Sequence, residues 1–96
     1  MGQSVEISWT GDVDLVNIND IRGEIDHALN TPDVEQLVID LSGVGFVDSL
    51  GLGMLVYAVD SGGTRGVAVS IRHVPDRTMN LIRVAGLDDI LPIDAG

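Results

Sequence analysis

Asp48-Ser49 lies where an apolar run gives way to a helical pattern, and a hydroxyl beside a carboxylate at such a junction has two chemistries open to it. As an N-cap, Ser49 would accept one of the orphan backbone N–H groups of the helix, a role whose loss costs about 1 kcal/mol. As a phosphoacceptor, it would place about −1.5 to −2 charges where exposed N–H groups and the helix dipole favour an anion. Gly51 and Gly53 occupy the next turns although each costs roughly 1 kcal/mol of helix stability relative to Ala. Something other than helix propensity selects them, either close approach of another surface to Ser49 or tight packing on a neighbouring element. Phosphate beside Asp48 on an acidic face adds repulsion and a desolvation cost for any partner that buries the helix start, so docking is expected to weaken while the fold survives.

Other constellations carry less. A hydrolase triad needs a Ser activated by a positioned base, usually on a Gly-x-Ser-x-Gly elbow, whereas the residues here are Val47-Asp48-Ser49-Leu50-Gly51. His27 follows Asp26, and adjacent residues on a helix diverge, so the pair is expected on a solvated face. His73, just before Val74-Pro75, is expected in a loop. Asp12, Asp14 and Asp48 are hard oxygen donors of the kind that suits Mg or Ca, with electrostatic and capping roles preferred. Gly62-Gly63-Thr64-Arg65-Gly66 lacks the Lys-Ser/Thr of a nucleotide loop and precedes a strand, which makes it a turn. With no convergent nucleophile, acid and base, neither catalysis nor a cofactor nor a metal is expected.

The elements that must position these residues follow from periodicity. Ser4-Val5-Glu6-Ile7-Ser8-Trp9 alternates with period two and ends near Gly11, a strand with one wet face. Ile18, Ile21, Ile25, Ala28 and Leu29 recur at helical spacing over about Asn17 to Asn30, stopped by Thr31-Pro32. Gln36 to Leu41 is a short apolar run expected to form the central, doubly buried strand. A second helix is expected from about Leu50 to Asp60, stopped by Ser61-Gly62-Gly63, with Met54, Leu55, Ala58 and Val59 toward the sheet. Gly66 to Arg72 alternates again, and Pro75-Asp76 opens a third helix closed by Gly86. Strands separated by helix-length crossovers cannot form hairpins. The order β-α-β-α-β-α therefore predicts an α/β fold with one mixed, mostly parallel sheet and helices packed against it.

The chain of 96 residues suits a single domain over 1–96. Its apolar content of 45% against 21% charged residues supports a folded core, built from aliphatic side chains because only one Trp, one Tyr and one Phe are present. No apolar window reaches a membrane span and no basic leader precedes an apolar run, so a cytosolic location is expected without membrane insertion. The absence of cysteine excludes disulfides and thiolate metal sites. The net charge of −10 is concentrated in residues 1–60, which hold eleven acids and one Arg, whereas residues 61–96 hold four of each. Such a field repels nucleic acid and steers a partner with a basic docking surface.

Phe46-Val47-Asp48-Ser49-Leu50-Gly51-Leu52-Gly53 resembles the Asp-Ser-[Ser/Thr]-Gly-Leu-Gly signature of the STAS family of anti-sigma factor antagonists. Thr10-Gly11-Asp12-Val13-Asp14 resembles that family's Gly-Glu-[Leu/Val]-Asp turn, and Asn80 to Leu87 resembles its closing helix. The resemblance implies a STAS-type fold with Ser49 as phosphoacceptor and Asp14, Asp48, Ser49, Leu50, Gly51 and Leu52 at the partner surface. It implies a partner-switching cycle in which the unphosphorylated chain binds a GHKL-type anti-sigma serine kinase and frees the sigma factor. The kinase then phosphorylates Ser49, and a PP2C-type phosphatase reverses the mark. Leu50 stands where the signature has Ser or Thr. That departure leaves a second implied role, an unphosphorylated STAS interaction module of a stress-signalling scaffold or of a lipid or anion transporter. The family often has a further N-terminal strand and a longer C-terminal helix, expected here to be reduced or absent.

Overall fold

A computed structural model describes residues 2–94. They form β1 (Gln3–Val13), α1 (Ile18–Leu29), β2 (Val34–Val47), α2 (Ser49–Thr64), β3 (Ala68–Arg72) and α3 (Asp76–Val84), the alternation that the apolar spacing predicts. The strands lie in the order β1-β2-β3 and every pairing is parallel, so β2 is the central strand. Ile93 adds an isolated parallel bridge to Ile71 on the outer side of β3.

Register divides the sheet into two faces. Val5, Leu37 and Val69 lie side by side, as do Ile7, Ile39 and Ile71, and all six belong to or pack on one apolar cluster. Ile21, Ile25, Ala28 and Leu29 of α1, Leu52, Leu55 and Ala58 of α2 and Ile82 of α3 complete that cluster, so all three helices contribute to one core on one side of the sheet. The rows between, Glu6-Val38-Ser70 and Ser8-Asp40-Arg72, face the other way. They carry polar links instead, Arg72 to Glu6 at 3.8 Å and to Asp94 at 3.4 Å, and His73 Nδ1 to Asp40 at 3.1 Å.

Two strands run further than their composition predicts. β1 passes through Gly11, whose φ is +70°, to Val13, and β2 passes through Ser42-Gly43 to Val47. They stay paired through register shifts between Ser8 and Thr10 and between Gly11 and Asp12. At the first shift the Asp40 carboxylate accepts the Ser42 N–H at 2.8 Å. That bond and further hydrogen bonds from the Ser42 and His73 side chains lower the Asp40 pKa from 3.8 to about 2. Likewise α2 continues past Asp60 to Thr64, because Gly62 packs where a Cβ would lie 2.6 Å from Val69 Cγ2. Among the described residues no helix is long and apolar enough to cross a membrane.

Candidate functional site

The parallel sheet delivers the ends of β1 and β2 to one edge, where Val13 is the register partner of Val47 and the Asp48 N–H donates to the Val13 carbonyl at 3.3 Å. The residues after these ends, Asp14 and Asp48-Ser49, are therefore brought together by strand pairing. The Asp12 to Asn17 turn is fastened by Asn17, whose Oδ1 accepts the Asp14 N–H at 3.0 Å and whose Nδ2 donates to the Asp12 carbonyl. Asp14 Oδ1 in turn accepts the Val16 N–H at 3.0 Å.

The helix cap is Asp48, not Ser49. Asp48 has extended backbone and its Oδ1 accepts from the N–H groups of Leu50 at 2.9 Å and Gly51 at 3.1 Å, while Ser49 is the first residue of α2. The physical reason is that β2 stays extended through Val47, which puts the half-turned residue at 48 and frees the Ser49 hydroxyl from capping. Ser49 is exposed. The arrangement also corrects the expected anion cradle. Three of the four amino-terminal N–H groups of α2, those of Asp48, Leu50 and Gly51, already have acceptors.

Of the six residues expected at a partner surface, Ser49 and Leu50 are exposed and Asp14 and Asp48 are half-buried. Gly51 and Leu52 are buried and belong to the packing beneath. A Cβ on Gly51 would lie 2.6 Å from Val47 Cγ1 and 2.9 Å from Val13 Cγ1, so this glycine lets α2 sit against the two strand ends. Leu52 joins the core because it falls on the same stripe as Leu55 and Ala58. Gly53 is different, with nothing within 4 Å of the position its Cβ would take.

Periodicity alone does not mark the apolar surface around this edge. Leu15 is 72% and Val16 91% exposed on the fastened turn, and Phe46 and Leu50 flank Asp48-Ser49 at 46% and 43%. Phe46 and Val47 also line a groove of about 310 Å³ with Arg77, Thr78, Asn80, Leu81 and Val84 of α3. The signal available was the pair Leu15-Val16, apolar yet outside any periodic stripe. Among the other candidates, His73 lies in a loop at φ +54° and bonds Asp40, and Asp26 accepts a hydrogen bond from Tyr57 rather than pairing with His27. No group of three acidic, His or Cys side chains suited to a metal ion occurs among the described residues.

Fold and site together define a small α/β domain that exposes a helix-start serine, an acidic turn and apolar side chains at one sheet edge. The family model for the Mlab, STAS domain matches residues 1–92, and the chain belongs to the STAS domain family. An anti-sigma-B factor antagonist of Listeria monocytogenes is 34% identical over 105 residues, covering 97% of this chain and 90% of the relative. The crystal structure of an anti-sigma factor antagonist from Mycobacterium paratuberculosis is similar with a TM-score of 0.84 at 26% identity, over 97% of this chain and 78% of that one. A sulfate transporter family protein from Wolinella succinogenes shares the fold, with a TM-score of 0.80 at 16% identity over 94% and 75% of the two chains.

Proposed function

We propose that this chain is an anti-sigma factor antagonist that docks on an anti-sigma factor through the amino end of α2 and is released when Ser49 is phosphorylated. The partner in this reading is a GHKL-type serine kinase, and a PP2C-type phosphatase restores the hydroxyl. The observation that carries the reading is the exposed Ser49, displaced from capping by Asp48 and set beside the Asp14 turn. The 34% identity to a Listeria antagonist over nearly the whole chain supports the same assignment. Leu15, Val16, Phe46 and Leu50 supply apolar area for docking, and Asp14 and Asp48 supply charge for a basic counterpart. A phosphoserine at Ser49 adds like charge beside Asp48 and finds few unpaired N–H groups, so it changes who binds and not how the chain folds.

The test is binding of the cognate anti-sigma factor by Ser49→Ala and Ser49→Asp, each checked by circular dichroism. Ser49→Ala should retain affinity and Ser49→Asp should lose at least tenfold; equal affinity would refute the switch. Incubation with the kinase and ATP should place one phosphate on Ser49 by mass spectrometry. Leu50, at the position of the signature Ser or Thr, favours a second reading as an unphosphorylated STAS module of a transporter or scaffold complex. Co-purification with a membrane transporter and an unmodified Ser49 would select it.

A further inference from the structure

The groove of about 310 Å³ between the end of β2 and α3 is polar at one end and apolar along most of its length. Arg77 and Thr78 line it from the first turn of α3 and Leu81 and Val84 from further on, so at about 1.5 Å per residue it follows the helix for about 10 Å. Phe46 and Val47 form the facing wall. At the polar end Pro75, in the N-cap position, has no side-chain acceptor to offer, and the N–H groups of Asp76, Arg77 and Thr78 find none among the described residues. Arg77 is the one charged residue among those described as lining the groove and takes part in none of their ion pairs, while Asp76 is exposed and outside the lining. Thr78 is 3% exposed, and its hydroxyl makes no hydrogen bond among the described residues. That hydroxyl is still reachable, because Trp9 Nε1 is the only unpartnered side-chain polar atom among them that is sealed from solvent. A hydroxyl without a partner, open to the groove it lines, is unmet hydrogen-bonding capacity.

One end of the groove thus presents a guanidinium, a hydroxyl and the positive end of a helix, a set of donors that matches a carboxylate. The remaining length offers only apolar contact, from Phe46, Val47, Leu81 and Val84. An inorganic anion would leave that length empty, and a neutral hydrocarbon would leave Arg77 and Thr78 unmatched. A carboxylate on an unbranched apolar tail satisfies both ends at once. The volume is at the lower end of the range for small-molecule sites, about 300–1,000 Å³, which suits one medium-length acyl chain better than a folded segment of a partner. We propose that this groove binds a small amphipathic carboxylate, its head group at Arg77 and Thr78 and its tail along Leu81 and Val84 against Phe46. The site goes beyond the proposed switch: it shares Phe46 with the docking surface but does not depend on Ser49.

The probe is octanoate, titrated into the full chain below its micellar concentration while the methyl resonances of Thr78, Leu81 and Val84 are followed by NMR. Expected are saturable shifts of all three. Octanol, with the same tail and no charge, should bind at least fivefold more weakly. Arg77→Gln, at an exposed position that the fold does not depend on, should weaken octanoate at least fivefold and bring it level with octanol. Thr78→Val, which removes the hydroxyl and keeps the volume, should weaken it as well, with folding checked by circular dichroism. Ser49→Ala should leave the affinity unchanged. The proposal is overturned by methyl resonances that stay unmoved or shift without saturating, by octanol binding as tightly as octanoate, or by full affinity in Arg77→Gln or in folded Thr78→Val. Loss of binding in Ser49→Ala would place the head group at α2 and overturn it too.

Discussion

Gly51 and Gly53, two residues apart in α2, should respond in opposite directions to the same substitution. At either position Ala gains roughly 1 kcal/mol of helix propensity over Gly. At Gly53 the new methyl meets nothing within 4 Å, so that gain should appear nearly whole. At Gly51 the Cβ would sit 2.6 Å from Val47 Cγ1, 2.9 Å from Val13 Cγ1 and 3.2 Å from the Val13 carbonyl oxygen. Both valines are stiff at χ1 and the carbonyl is part of β1, so relief requires α2 to move off the strand ends. Overpacking of this kind costs about 1–3 kcal/mol, and a shifted helix start also lengthens the bond from the Asp48 N–H to Val13. Setting the propensity gain against that cost, Gly51→Ala should be destabilised by about 1 kcal/mol and Gly53→Ala stabilised by up to about 1 kcal/mol. Urea midpoints at constant m-value measure both. Stabilisation by Gly51→Ala would refute the packing argument. Anti-sigma factor binding then separates the two roles, because a Gly53→Ala variant that is more stable yet binds more weakly identifies Gly53 as a point of close approach.

Asp48→Ala should cost about 1 kcal/mol in urea denaturation because two N–H groups lose their acceptor, whereas Asp48→Asn keeps the cap and should stay near wild type; equal stability of Asp48→Ala would contradict the assignment of the cap. Asp40 has its pKa lowered from 3.8 to about 2, so its ionised form stabilises the fold above pH 3.8 and that contribution is lost as pH falls through about 2. The urea midpoint of the wild type should therefore fall more steeply across this window than that of Asp40→Asn, and parallel slopes would exclude the effect.

Burial wrote α1 plainly into the chain, since Ile21, Ile25, Ala28 and Leu29 recur at the period that keeps them on one face. The central place of β2 was equally legible, because Leu37, Val38, Ile39 and Leu41 form a nearly continuous apolar run, but the expected burial of both faces holds on one face only, since all three helices pack on one side and Asp40 on the other bonds Ser42 and His73. Its extension was not. Ser42-Gly43-Val44-Gly45 has turn composition, and what holds it extended is β1 alongside, with Gly43 so close that a Cβ would lie 3.1 Å from Thr10 Cγ2 and 3.3 Å from the Trp9 carbonyl oxygen. That long-range pairing has no local signature, and it moves the helix cap by one residue. Ser and Asp are equal cap formers, so residue type could not choose between Asp48 and Ser49. The exposed Leu15 and Val16 were missed for a related reason, since hydropathy marks candidates for burial and cannot tell which of them the turn holds outward.

The position of the cap makes one further consequence measurable, a coupling between Asp48 and phosphate on Ser49. In the wild type the Asp48 carboxylate already takes the Leu50 and Gly51 N–H groups, so an added phosphate meets occupied donors and a neighbouring negative charge. Removing the carboxylate by Asp48→Ala frees both donors and removes that repulsion, and phosphate at a helix start then gains the stabilisation such a site offers anions, about 0.3–1 kcal/mol. Phosphorylation should accordingly change wild-type stability little or lower it, and should raise the stability of Asp48→Ala. The four species form a cycle whose interaction energy should be on the order of 1 kcal/mol, within the range found for residues in contact. Urea denaturation of stoichiometrically phosphorylated and unphosphorylated protein gives all four corners. Equal increments in the two backgrounds would mean that the phosphate projects clear of the cap, and the electrostatic account of the switch would then have to rest on the partner's charges alone.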